Sequence, residues 1–107
     1  MTHKYNATYI DQEKKRVALT YTPLPVVLSK GKGCWVWDVE GKKYLDMVSA
    51  YSALSHGHCH PALVKVLHDQ ALQLSLCSRA FYSDQLALFS ESLCTLTGFD
   101  RVLPMNT

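Results

Sequence analysis

Cys34-Trp35-Val36-Trp37-Asp38-Val39-Glu40-Gly41-Lys42-Lys43-Tyr44-Leu45-Asp46 sets two runs rich in β-branched and aromatic residues on either side of a glycine-containing turn. That composition predicts a β-hairpin bending at Glu40-Gly41. Both runs are apolar on more than one face, so the hairpin is expected to be covered by other protein. Upstream, Val26-Val27-Leu28 reads as a short strand, followed by Gly31-Lys32-Gly33. Residues 21–25 must be extended, because Pro23 and Pro25 each fix their own φ and push the preceding residue out of the helical region. Residues 9–19 read as a helix, with Asp11, Glu13, Lys14, Lys15 and Arg16 polar and Ile10, Val17 and Leu19 apolar.

Downstream, the chain passes through the small-residue run Ser49-Ala50-Tyr51-Ser52-Ala53 into the loop His56-Gly57-His58-Cys59-His60-Pro61. Pro61 suits the first position of a helix whose apolar stripe is Leu63, Leu67, Ala71 and Leu74. A second helix follows Ser83 as N-cap, places Leu86, Phe89, Leu93 and Leu96 on one stripe, and stops at Gly98. Residues 101–107 read as a strand-like run with no cap or polar tail behind it, so the sequence is expected to continue the domain beyond them.

The 107 residues fit one small domain with a thin core, and 48% apolar against 19% charged residues excludes a disordered tail. A net charge of +2 gives no electrostatic case for nucleic acid. Residues 1–43 hold eight Lys/Arg against four Asp/Glu and residues 44–107 three against five, which makes the first part an exposed, solvated basic face. No apolar run approaches the roughly 20 residues that span a bilayer, and no hydrophobic stretch follows Met1 as in a secretory signal. Asn6-Ala7-Thr8 therefore carries little weight as a glycosylation site. Cys34, Cys59, Cys77 and Cys94 form no CxxC pair, which predicts reduced, mostly buried thiols in a cytoplasmic protein.

Taken in order, Tyr21-Thr22-Pro23-Leu24-Pro25-Val26, Gly31-Lys32-Gly33, Trp37-Asp38-Val39-Glu40-Gly41-Lys42-Lys43-Tyr44, Ser49-Ala50-Tyr51-Ser52-Ala53, Gly57-His58-Cys59-His60-Pro61, Ser78-Arg79-Ala80-Phe81-Tyr82 and Val102-Leu103-Pro104-Met105-Asn106-Thr107 resemble the N-terminal segment of the ornithine aminotransferases. These are class-III, fold-type-I pyridoxal-phosphate enzymes. The D-x-E-G-K and G-H-x-H-P elements are general to class III; the two tyrosines and Ser78-Arg79-Ala80-Phe81-Tyr82 point to the ornithine enzymes. The resemblance implies an α/β fold. Residues 1–60 would be an N-terminal helix with a small hairpin or meander subdomain and a substrate-side loop. Residues 61–107 would hold the first helices and strand of the large, cofactor-binding domain.

It also implies an activity: transfer of the δ-amino group of ornithine to 2-oxoglutarate in a homodimer that uses pyridoxal phosphate. Tyr21 would hold the α-amino end of ornithine, Tyr51 would lie beside substrate and cofactor, and Thr107 would border the loop gripping the cofactor phosphate. The lysine that binds the cofactor, the aspartate paired with its ring nitrogen and the arginine for the substrate carboxylate match nothing in residues 1–107, so no catalytic residue is assigned and the chain alone is expected to be inactive. Another class-III ω-aminotransferase, or a non-catalytic interaction module, would fit the same scaffold.

The residues themselves leave alternatives. Tyr21 can anchor an extended segment or tether an amine. Tyr51, among small residues that admit a close backbone approach, can be a core aromatic or a pocket residue. Arg79, in an apolar stretch, can pair with a carboxylate or backbone carbonyls, or meet a phosphate or a substrate carboxylate. His56, His58, Cys59 and His60 are zinc-type ligands, but alternating residues of an extended loop point to opposite sides; no metal site is assigned, and His58 and His60 are expected to fix the loop by hydrogen bonds. Gly31-Lys32-Gly33 lacks the tail and following helix of a phosphate loop.

Overall fold

The computed structural model describes residues 5–105. Its organising side chain is Asp38, 3% exposed at the end of strand β2 (Trp35–Asp38). Its Oδ1 accepts the backbone N–H groups of Glu40 and Lys42, both at 2.9 Å, and Gly41 takes a φ of +88° that only glycine adopts without strain. The turn closes β2 onto strand β3 (Lys43–Leu45), as the sequence predicts. Glu40 then reaches outward, and its Oε1 accepts the N–H of Asn6 at 2.8 Å, satisfying one of the free donors at the start of helix α1 (Asn6–Arg16). Asn6 ties the same helix down twice more, donating to Asp38 Oδ2 at 3.1 Å and accepting from Val27 N at 2.7 Å. The D-x-E-G-K element is thus a turn, a buried carboxylate and a helix cap in five residues.

Strand β1 (Leu28–Lys32) pairs antiparallel with β2, giving a three-stranded meander in the order β1-β2-β3. One expectation is corrected here: Val26 and Val27 precede the strand instead of forming it. Gly31 and Lys32 are strand residues, and the turn into β2 falls at Gly33 and Cys34. A bulge between Leu28 and Lys30 is filled by Ser29, whose hydroxyl donates to the Asp38 carbonyl at 3.1 Å. Alternation sets the faces: Val36 and Asp38 point inward, and Trp35 and Trp37 point outward. Lys43 lies 3.8 Å from the Trp35 ring centroid and Lys30 4.9 Å from that of Trp37, so the lysines of the basic face shield indole surface.

Helix α1 starts three residues earlier than its apolar pattern suggests and ends at Val17, whose extended ψ of 139° leads into the proline segment. Lys14, Lys15 and Arg16 occupy its last turn, where the helix dipole favours positive charge. After β3 comes a single turn, α2 (Ser49–Ser52). Helix α3 (Pro61–Gln73) begins at the proline as expected, and α4 (Asp84–Thr97) lies between Ser83 and Gly98 as expected. Gly98, at φ 74°, donates its N–H to the Cys94 carbonyl at 2.8 Å.

The chain divides into two compact units between His68 and Asp69. In the second unit the half-buried face of α4 is Leu86, Ser90, Leu93 and Cys94, while Phe89 and Leu96 of the expected stripe lie open. Residues 101–105 form no strand, correcting that expectation; they find no ladder partner among the described residues. The cysteines are all free but not mostly buried: Cys34 and Cys59 sit in exposed turns, and Cys77 and Cys94 are half-buried. Among the described residues no helix is long and apolar enough to cross a membrane.

Candidate functional site

Strand β3 delivers Asp46 to the foot of the small-residue run. Asp46 continues the β2–β3 pairing by donating its N–H to Cys34 O at 2.9 Å. Its side-chain Oδ1 turns back and accepts the N–H groups of Val48 (3.0 Å) and Ser49 (2.9 Å). This side-chain turn redirects the backbone. From Ser49 to Ser52 every φ is positive (48°, 49°, 57° and 70°), and ψ is 48° at Ala50 and 46° at Tyr51. The element α2 is therefore one left-handed turn made without glycine, flanked by right-handed Val48 and Ala53. Left-handed backbone costs a non-glycine residue about 1–2 kcal/mol, and such strain collects at ligand sites.

The turn aims Tyr51 at Tyr21. Their hydroxyls are hydrogen-bonded to each other across 30 residues of sequence. This bond, and secondarily desolvation, pushes the Tyr51 phenol above its ordinary value. Both rings are otherwise open, 69% exposed at Tyr21 and 78% at Tyr51, so the pair presents its remaining lone pairs to an incoming group. Tyr21 also lines an apolar groove of about 1070 Å³ with Ile10, Val17 and Leu24.

Behind the turn stands His58. Its Nε2 lies 2.7 Å from Asp46 Oδ2. The Ser49 amide, then His58, outweigh burial and hold the Asp46 carboxyl below the usual carboxylate range. His58 is itself fixed by the backbone: its N–H donates to Gly33 O at 2.8 Å, and its carbonyl accepts from Gly33 N at 2.9 Å. Gly31 leaves room for the imidazole, since a Cβ there would sit 2.5 Å from His58 Cγ. His58 thus fixes its loop by hydrogen bonds as expected, whereas His60 meets His56 edge-on at 6.1 Å between ring centroids.

Of the residues singled out from the sequence, the structure brings Tyr21 and Tyr51 together. Arg79 lies exposed in a turn of the second unit, with no ion-pair partner among the described residues. Thr107 lies outside the described residues. Asp46 went unnoticed in the sequence. Its signal was an aspartate closing a strand just before small residues, the pattern of a side-chain turn.

The pattern of the aminotransferase class-III family matches residues 16–107. The chain is 59% identical over 100 residues to the mitochondrial ornithine aminotransferase of Drosophila ananassae, covering 94% of this chain and 23% of that protein. It is 55% identical to the ornithine aminotransferase of Halalkalibacterium halodurans, covering 92% of this chain and 25% of that one. Among solved structures, acetylornithine aminotransferase from Elizabethkingia anophelis superposes at a TM-score of 0.94 with 52% identity, over 97% of this chain and 27% of that one. Plasmodium falciparum ornithine delta-aminotransferase superposes at 0.93 with 45% identity, over 97% and 27%. The chain thus spans about a quarter of the length of the relatives it matches. The α/β arrangement described above is that of the matching segment of fold-type-I pyridoxal-phosphate aminotransferases. With the family pattern running from residue 16 through residue 107, the chain belongs to the class-III aminotransferases.

Proposed function

We propose that this chain is the N-terminal segment of an ornithine δ-aminotransferase and that Tyr21 and Tyr51 form the wall of its pocket that receives the α-amino end of ornithine. The observation that carries the reading is the hydrogen bond joining the two hydroxyls, 30 residues apart in sequence. Ornithine has an amine at each end of a flexible chain. A site that reacts only the δ-amine must hold the α end away from the reacting centre. One hydroxyl of the pair donates to the other, and the oxygen lone pairs left over accept from an ammonium group while the remaining O–H donates to a carboxylate.

Class-III aminotransferases use pyridoxal phosphate, which serves as electron sink for the carbon bearing the transferred amine. The described residues fit one side of such a cofactor pocket and none of its anchors. Every described lysine is exposed to water, so none is the desolvated amine that covalent attachment needs. The attachment lysine therefore belongs to the rest of the enzyme, and Thr107 beside the phosphate loop is part of the same proposal. So are a homodimer and a cytoplasmic location. Four free thiols fit a reducing compartment.

The test is Tyr21→Phe in the full-length enzyme. Losing a hydrogen bond to a charged group costs about 1.5–3 kcal/mol, so kcat/KM for ornithine should fall roughly 10- to 150-fold. The half-reaction with 2-oxoglutarate should change far less. A wild-type enzyme that prefers N-acetylornithine would favour the other class-III reading. Unchanged ornithine kinetics in Tyr21→Phe would remove the tether.

A further inference from the structure

We propose that Asp46 and His58 are positioning residues for substrate selection: they hold the left-handed turn that presents Tyr51 to Tyr21. The inference rests on the pocket reading above and extends it to two side chains outside the tyrosine pair. Four links run in series. The Gly33–His58 backbone bridge fixes the loop, His58 Nε2 holds Asp46 Oδ2 at 2.7 Å, Asp46 Oδ1 holds the amides of Val48 and Ser49, and the turn places the Tyr51 hydroxyl on Tyr21. The turn lacks glycine and is strained at four successive residues, so an external brace is needed to keep it. Asp46 is the side chain that provides it, with one oxygen on the turn and the other on His58. Gly31 adds a steric argument. Any side chain there would evict the imidazole, so the sheet surface is shaped to seat His58.

The geometry excludes direct contact of Asp46 with substrate as its main role. Both carboxylate oxygens are already engaged by protein donors, and the side chain is only 15% exposed. Its influence must pass through Tyr51. Removing the His58 imidazole frees Oδ2, loosens the hold on the amides, and lets the turn relax toward ordinary backbone, which takes the Tyr51 hydroxyl off Tyr21.

The experiment is a double-mutant cycle in the full-length enzyme, reading kcat/KM for ornithine and for 2-oxoglutarate. His58→Ala should lower the ornithine value about tenfold, as expected for one hydrogen bond, with little change toward 2-oxoglutarate. In a Tyr51→Phe background the same change should have almost no further effect, because the group it positions is gone. His58→Gln, whose amide nitrogen can reach Asp46 in place of Nε2, should restore the ornithine value to within about threefold of wild type. If His58→Ala does not fold, Asp46→Asn carries the same cycle. Effects of His58→Ala and Tyr51→Phe that simply add, or equal losses for both substrates, would overturn the positioning role while leaving the pocket intact. A Tyr51→Phe enzyme with wild-type ornithine kinetics would instead overturn the pocket reading on which the role rests.

Discussion

Gly57→Ala tests the close approach that seats the His58 loop on the sheet. Gly57 has a φ of +74°, which costs alanine about 1–2 kcal/mol. A Cβ there would also stand 2.9 Å from the Gly33 carbonyl oxygen and 3.0 Å from its carbon and Cα. These are backbone atoms that cannot rotate aside, so the two strands of chain must separate by about half an ångström to reach ordinary contact. That separation stretches the paired Gly33–His58 hydrogen bonds of 2.9 and 2.8 Å, putting about 1 kcal/mol each at risk. The sum is roughly 2–4 kcal/mol, a loss of about 30- to 1,000-fold in amide hydrogen-exchange protection at Gly33 and His58. Gly41→Ala is the control: its φ is +88°, but nothing lies within 4 Å of the added Cβ, so it carries the conformational cost alone. Exchange at Gly33 and His58 should therefore respond to Gly57→Ala at least about tenfold more than to Gly41→Ala. Equal responses would show that no steric constraint exists at the bridge.

Two further outcomes follow from the sheet. For Asp38, burial is the largest single influence and opposes ionisation. The bonds from Tyr44, Asn6, Lys42 and Glu40 together outweigh it and hold the carboxyl below its ordinary 3.8, as bonds from Ser49 and His58 do for Asp46. Carboxylates depressed by folding stabilise the fold above pH 3.8 and lose that contribution as pH falls through their folded values, so Trp35 and Trp37 fluorescence should report loosening only below about pH 4. Asp38→Asn should loosen the meander already at neutral pH and flatten the acid profile, and matching profiles in both proteins would contradict this. Val36→Ala should cost about 2 kcal/mol in urea unfolding, since Val36 is 5% exposed and loses two carbons' worth of burial.

The parts legible in the sequence were those where one residue type has one local use. Gly41 between two β-rich runs marked the β2–β3 hairpin, and Pro61 and Gly98 marked a helix start and a helix end, whereas the two tyrosines were singled out only through the family resemblance. Other features depended on partners distant in sequence. Gly31 and Lys32 are paired with Val36 and Trp35, and glycine is needed at position 31 for the His58 ring, a demand set 27 residues downstream. Helix α1 begins early because Glu40, 34 residues away, caps it. Cys34 stands beside Trp35 and Val36 in sequence but occupies a turn that meets solvent, as does Cys59 between two histidines. The left-handed turn was illegible because it contains none of the glycines that usually announce such backbone.

The absence of glycine at α2 links the fold to the site. Glycine would adopt these dihedrals with no steric cost, but it would leave the turn free to open and would carry no side chain at position 51. With serine, alanine and tyrosine there, the turn is strained, and it persists because its surroundings over-determine it. Asp46 holds the entry, Ser52 N–H donates to Val48 O at 3.3 Å, Leu54 N–H closes the exit on Ser49 O at 3.0 Å, and Tyr21 takes the tyrosine tip. A turn held at both ends and at its side chain can keep one aromatic hydroxyl in one place. The proposed tether for one end of a diamine calls for that fixity, since a hydroxyl that wanders by an ångström would bring either nitrogen within reach. Under the positioning proposal, the same bracing extends that sensitivity to His58 and Asp46, which hold the turn from outside the tyrosine pair.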